Sequence, residues 1–230
     1  MEKVSVRNDG VLIVKGNPFY PIAAYRDPRD ILMDFRGVKD GGFNTTHSYY
    51  FEARSSVHNG GISIDQDIII TAKQYLQAAH ENGLKVFQGI PRDMVKVGNI
   101  DAIRHYVEAL KFEPALLVWY LMDEPSIQKV SPEILRKVNN IVKATDPNHP
   151  TFVVFSEKTT NVNLYNDSYD IAGFDPYPIK GQKGKVDMVR KVIEERKNQA
   201  LGIFPVWHVV QSHDFRKPKS GVYYPTPNQI

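Results

Sequence analysis

Short apolar runs recur along the chain, and most are followed by a stretch with a three- and four-residue apolar period. Seven such runs fall at residues 20–25, 44–49, 85–90, 116–122, 151–155, 171–175 and 204–210. Strand-length runs alternating with helical periods predict repeated βα units and therefore a parallel sheet. Between the second and third runs, Ile68, Ala72, Tyr75, Leu76 and Ala79 recur at three- and four-residue intervals, and Gly83 stands where a helix over 67–82 would end. Ser131-Pro132-Glu133 reads as an N-cap with proline at the first helical position. Residues 1–19 follow a different pattern. Val4 and Val6 alternate with polar neighbours, Asn8-Asp9-Gly10 supplies a turn, and an apolar run from Val11 to Val14 follows, which predicts a β-hairpin. A second turn is expected at Lys15-Gly16-Asn17-Pro18.

An open doubly wound sheet and a closed barrel share this alternation. The chain has no Gly-x-Gly-x-x-Gly after its first strand and no Gly-x-x-x-x-Gly-Lys-Ser/Thr anywhere, so a nucleotide-binding sheet has no support. The expectation is an α/β fold, a TIM-type (β/α) barrel. It is a single domain over 1–230, with the hairpin at 1–19 and the barrel at 20–230. Ordinary closure takes eight strands, and only seven are read here; Thr226-Pro227-Asn228-Gln229-Ile230 reads as the start of a seventh helix. The expectation is therefore a barrel lacking its eighth βα unit, with self-association or a missing segment covering the open edge.

With 230 residues and 42% hydrophobic content, the chain can bury one sizeable core. Lys and Arg (29) exceed Asp and Glu (26) by three and are spread along the sequence, which speaks against a nucleic-acid partner. There are no cysteines, so disulfides and thiolate metal sites are excluded. No apolar stretch approaches a membrane span, and the opening MEKVSVRNDG has no apolar leader core. A cytoplasmic location is expected if the chain is complete, a secreted one if a leader has been removed.

In a (β/α) barrel the reacting groups lie at the carboxyl ends of the strands. The acids at or just beyond those ends are Asp27, Glu52, Asp93, Asp123, Glu124, Glu157, Asp175 and Asp214. The strongest local signal is the run from Pro114 to Met122 that ends in Asp123-Glu124-Pro125. Proline cannot donate to the ladder, so pairing stops there and leaves two carboxyl groups at the barrel mouth. Adjacent carboxylates at an apolar lip disfavour joint ionisation, which suits one of them to donate a proton. The bland alternative is a pair that caps a helix or solvates a loop.

At these residues the chain resembles the clan A glycoside hydrolases, the (β/α)8 barrels that include cellulases, mannanases and β-galactosidases. The resemblance rests on the opening hairpin, on Val14 to Ile22 leading into the first strand, on Gly42-Phe43-Asn44-Thr45-Thr46 entering the second, and on Asp-Glu-Pro after the fourth. It implies that Glu124 is the general acid/base. Asp123 stands where the family usually carries an asparagine that holds the sugar 2-hydroxyl. It also implies that Tyr177, in Phe174-Asp175-Pro176-Tyr177-Pro178, is the strand-six tyrosine oriented toward the nucleophile, and His47 stands where the family has a basic residue. Asp175 adds a carboxylate, with a simple Asp-Pro turn as its alternative.

One departure matters. A retaining enzyme needs a second carboxylate about 5 Å from the first, and the position aligned with the strand-seven nucleophile is Gln211. Three readings stand. The protein is an inverting or substrate-assisted hydrolase using Asp175, Asp123 or Asp214; it is a carbohydrate-binding pseudoenzyme; or the register is off and Asp214 is the nucleophile. The expected function is a glycoside hydrolase acting on a poly- or oligosaccharide, with Glu124, Asp175 and Gln211 as catalytic candidates. Sugar sites combine flat aromatics with short polar groups, so Tyr25, His47, Tyr49, Gln88, Tyr120, Asp123, Tyr177, Trp207 and His213 are the candidate substrate contacts. The seven histidines include no His-Glu-x-x-His spacing, so neither a metal nor any other cofactor is expected. A phosphate-binding barrel would need a glycine-rich loop, and none accompanies Arg216-Lys217-Pro218-Lys219.

Overall fold

The structure is a computed structural model that describes residues 3–26, 34–53, 57–58, 61–62, 66–159, 161–179, 186–201 and 205–210. The chain opens with three antiparallel strands, β1 (Val4–Val6), β2 (Leu12–Val14) and β3 (Asn17–Phe19). The expected hairpin is present, and the Lys15-Gly16 turn extends it: both residues take positive φ, 52° and 79°, and return the chain as a third strand. Then follow β4 (Ala23–Arg26), α1 (Phe35–Asp40), β5 (Thr45–Ser48), α2 (Tyr50–Ala53), a two-stranded pair β6 (Val57–His58) and β7 (Gly61–Ile62), α3 (Gln66–Glu81), β8 (Lys85–Gly89), α4 (Arg92–Val97) and α5 (Ile100–Leu110). The rest is β9 (Leu116–Asp123), α6 (Pro132–Thr145), β10 (Thr151–Ser156), β11 (Ile171–Asp175), α7 (Asp187–Gln199) and β12 (Val206–His208).

Seven strands form one parallel sheet in the order β12-β11-β10-β9-β8-β5-β4. The sheet is strongly curled. Phe87 of β8 and Trp207 of β12 lie four strands apart in the order, which would separate them by roughly 19 Å in a flat sheet, yet their rings stack at 5.7 Å. This is a partial TIM-type barrel with β4 and β12 as its edges. The seven expected runs all become strands, although the first and last are shorter than read. The expected helix start at residue 226 lies outside the described residues.

Local chemistry explains the helices that carry the sheet. At α3, the amide of Leu84 reaches back to Ala79 O and Gly83 takes φ 68°, the left-handed cap that the glycine predicted. At α6, the Ser131 hydroxyl accepts from Ile134 N at 3.2 Å, with Pro132 following. The sheet's outer face packs on the helices through Leu76, Tyr106, Trp119, Leu135 and Phe155, all fully buried. The inner face holds Phe87, Val118, Tyr120, Phe152 and Ile171. The small antiparallel sheet closes the amino ends of the strands: Val4, Leu12 and Val14 join this inner cluster, and Val4 N donates to Asn148 O just before β10.

Gly173 in β11 shows how tightly the interior is filled. A Cβ there would lie 2.7 Å from Phe152 Cζ and 2.9 Å from Val154 Cγ2. Gly173→Ala is therefore expected to destabilise the fold by about 1–3 kcal/mol through overpacking, read as a lower denaturation midpoint; an unchanged midpoint would show that the interior is looser than drawn.

Candidate active site

Two irregularities in β9 decide which of its side chains enter the barrel. Against β8 the register skips between Val86 and Phe87, so that Leu117 and Val118 both join the inner cluster. Against β10 it skips between Phe152 and Val153, so that Leu121 and Met122 both join the outer core. Each bulge adds one residue and shifts the in-out alternation. The second returns Asp123 to the inner side opposite Val154, where strict alternation from Tyr120 would have turned it out. Asp123 Oδ1 accepts the Tyr120 hydroxyl at 2.9 Å. The next residue, Glu124, still donates its amide to Val154 O at 2.8 Å but turns the chain with φ 46°, a left-handed conformation uncommon for a non-glycine residue.

Asp175 ends β11, paired with Ser156 of β10, and is 4% exposed. Burial, reinforced by the charges of Glu124 and Asp123, pushes its carboxyl up to about 8, while a hydrogen bond from Tyr177 opposes the rise. Its Oδ1 is buried with no partner among the described residues. Burial also pushes Asp123 up to about 7, aided by Glu52 and then Glu124 and opposed by the Tyr120 hydroxyl. The chain thus gathers carboxyl groups from two strands at the mouth, and at neutral pH the cluster retains protons.

Tyr177 is held from behind. Its amide donates to Glu157 Oε2 at 3.1 Å, and the Glu157 carbonyl accepts from Arg196 Nη2 at 3.0 Å. Arg196 lies in a basic stretch of α7 and is nevertheless 4% exposed, because it spans from α7 to the loop after β10. Glu157 accordingly anchors the loop that bears Tyr177. Glu157→Ala should cost about 1 kcal/mol in denaturant unfolding through the lost acceptor, and Glu157→Gln, which keeps a side-chain carbonyl, should recover most of it. Equal losses in both variants would argue against the anchor.

A buried aromatic group lies on the β4-β5 side. His47 is fully buried; its ring stacks on Tyr120 at 4.4 Å and meets Tyr49 and Tyr25 edgewise or tilted, each at 5.0 Å. His47 Nδ1 lies 2.8 Å from Phe87 O, and Nε2 lies 2.8 Å from Glu52 Oε1 without the alignment of a full hydrogen bond. Glu52 fits there because β8 ends in Gly89, where a Cβ would stand 3.0 Å from Glu52 Cγ. Tyr25 is half-buried, and its hydroxyl has no partner among the described residues.

The structure therefore brings Asp123, Asp175, Tyr177, Tyr25 and Tyr49 together, with Glu124 close enough to act on Asp175 electrostatically. It separates others from the expected substrate contacts. Gln88 alternates to the outer face, where it is fully buried and donates to the Tyr106 hydroxyl at 2.9 Å. Tyr120 and His47 are fully buried, and the Tyr120 hydroxyl is bonded to Asp123. Trp207 is half-buried and packs on Phe87 and Phe152 inside the barrel, at 5.7 and 5.1 Å. Gln211 and His213 lie outside the described residues. Glu52, among the acids at the strand ends but not among the site candidates, is the residue that sequence reasoning missed. Its signal was a carboxylate five residues past His47, facing a strand that ends in glycine. No group of three or more His, Asp or Glu side chains suited to a metal ion occurs among the described residues.

No family profile and no curated protein sequence matches the chain. Solved structures do. A GH2 β-galacturonidase from Eisenbergiella tayi bound to galacturonate superposes over 100% of this chain and 41% of its own, with TM-score 0.68 and 15% identity. An FMN-binding β-glucuronidase from Facaelibacterium prausnitzii L2-6 covers 92% of this chain and 34% of its own, with TM-score 0.63 and 14% identity. A β-D-glucuronidase from Dictyoglomus thermophilum covers 96% and 41%, with TM-score 0.61 and 15% identity. The chain spans less than half the length of each of these neighbours. What they have in common with it is architecture, a parallel (β/α) sheet of the TIM-barrel type.

Proposed function

We propose that the chain is a glycosidase barrel in which Glu124 is the general acid/base and Asp175 serves the anomeric side. The observation that carries this reading is the carboxyl cluster at the strand ends, with Asp123 and Asp175 raised to about 7 and about 8. The base role needs Asp175 ionised, so its rise to about 8 makes activity climb as pH rises toward that value. Glu124 then gives its proton to the glycosidic oxygen as that bond breaks. The ionised Asp175 takes a proton from the water whose oxygen attacks the anomeric carbon, so that one water is consumed per bond cleaved. Asp123 accepts a sugar hydroxyl, and Tyr177 holds Asp175. Gln211 is assigned to the anomeric side as an amide that orients water or sugar, because it lacks the nucleophilicity of a carboxylate. His213 is retained as a sugar contact.

The substrate is a poly- or oligosaccharide, and the neighbours make β-linked uronides the first probes. The test is release of nitrophenol from a panel of aryl β-D-glucuronides, galacturonides, galactosides, glucosides and mannosides. Turnover on any one supports the reading. The second reading is a carbohydrate-binding pseudoenzyme, favoured by Gln211 at the nucleophile position. It requires no turnover on the panel, together with calorimetric binding of the same sugars.

A further inference from the structure

Two carboxyl groups face the barrel interior at its mouth. Asp123 pairs with Val154, Val154 pairs with Gly173 of β11, and Asp175 lies two residues beyond Gly173. The acids are thus two strands apart, about 10 Å across the sheet. Asp123 points inward through the second bulge, and Asp175 does so by alternation from the inner residue Ile171. The main charge effects on Asp123 come from Glu52 and Glu124, opposed by His47; those on Asp175 come from Glu124 and Asp123. No lysine or arginine is among the main influences on either group. Asp175 is 4% exposed, and its Oδ1 has no partner among the described residues. Beside these acids stand the phenols of Tyr25 and Tyr49, with rings 5.8 Å apart, and together with Tyr177 they line one cavity. Carboxyl oxygens flanked by phenol rings are the chemistry that holds an organic ammonium group.

We propose that this site takes a glycoside of an amino sugar, bound in its ammonium form, and discriminates against uronides. The proposal rests on the glycosidase reading for the placement of the glycosidic bond. A 2-amino group sits on the carbon next to the anomeric one. A sugar held for cleavage between Glu124 and Asp175 therefore carries that charge into the acid cluster, against Asp123. A uronate would instead add a negative charge to a buried set of acids with no partner to offset it. Uronides are accordingly the poorest expected ligands among the glycosides. Burial and mutual repulsion leave Asp123 and Asp175 protonated at mildly acidic pH. An arriving ammonium group favours their ionised forms and expels protons, whereas a uronate does not. The same displacement leaves Asp175 in the form that its base role needs.

The test is calorimetric binding of methyl β-D-glucosaminide, β-D-glucoside and β-D-glucuronide at mildly acidic pH, in two buffers of different ionisation enthalpy. The glucosaminide should bind about tenfold or more tighter than the glucoside, with the glucuronide weakest. Its heat should differ between the buffers by the protons released. Asp123→Asn keeps an acceptor but not the charge, and should bring the glucosaminide and glucoside affinities together. A glucuronide that binds as tightly as the glucosaminide, a glucosaminide heat identical in both buffers, or an unchanged preference in Asp123→Asn would overturn the proposal. Incubation with the aryl forms of the same three sugars separates it from the glycosidase reading. If none is cleaved while the affinity order and proton release hold, the glycosidase reading fails and the amino-sugar site stands. If the glucuronide is cleaved fastest, the glycosidase reading stands and the amino-sugar proposal fails.

Discussion

Glu124→Gln is expected to lower kcat by about a thousandfold, the range that a positioned acid/base contributes, while calorimetric affinity for the same glycoside stays within a few-fold. Glutamine matches the shape of glutamate and can still hydrogen-bond the glycosidic oxygen, but it has no proton to give, so the loss should fall on the chemical step rather than on binding. The backbone supplies an independent control. At φ 46° any side chain with a Cβ is strained, whereas glycine is not. Glu124→Gly should therefore unfold later than Glu124→Ala by about 1 kcal/mol, although both are inactive. A glycine variant more stable than the alanine variant would mark Glu124 as a residue held in a costly backbone conformation.

The second large effect concerns pH. Asp175 rises to about 8 from the ordinary carboxyl value of 3.8, chiefly by burial and then by repulsion from Glu124 and Asp123. Below about pH 4 the group is protonated whether the chain is folded or not. Between about 4 and 8 the unfolded chain releases the proton while the folded one keeps it, so stability falls as pH rises; above 8 the loss is complete. Each pH unit in that window is worth about 1.4 kcal/mol per proton, so the accumulated penalty at pH 9 amounts to several kcal/mol. Asp175→Asn has no proton to lose. It should match the parent in urea near pH 4, clearly exceed it at pH 9, and be inactive at both. A variant that loses stability equally at every pH would show Asp175 to be a structural acceptor rather than a strained acid.

Much of the fold was legible because parallel sheets repeat their signal. Seven apolar runs, the Gly83 cap and the Ser131-Pro132 start each depend on a few neighbouring residues, and each found its place. The site was less legible, because its members depend on which face of a strand they occupy. Gln88 follows simple alternation and points outward, which the run Lys85 to Gly89 could have indicated had its inner residue been known. Asp123 does not follow it. Two bulges in β9 reset the alternation, and nothing in the apolar run from Leu116 to Met122 distinguishes residues that bulge from residues that alternate. His47 and Tyr120 are legible as site residues, but their burial is not, since it comes from other elements packing over them. Glu52 was hidden for the same reason: its partner His47 is near in sequence, yet the space it fills exists only because Gly89 ends a different strand.

The most direct test is a proton NMR time course of an aryl β-glycoside incubated with the parent protein and, in parallel, with Glu124→Gln. The anomeric region reports bond cleavage itself. The account predicts that signals of the free reducing sugar grow with the parent and stay absent with the variant. Broadened glycoside signals with no free sugar from the parent would contradict it, leaving a barrel that binds carbohydrate without cleaving it.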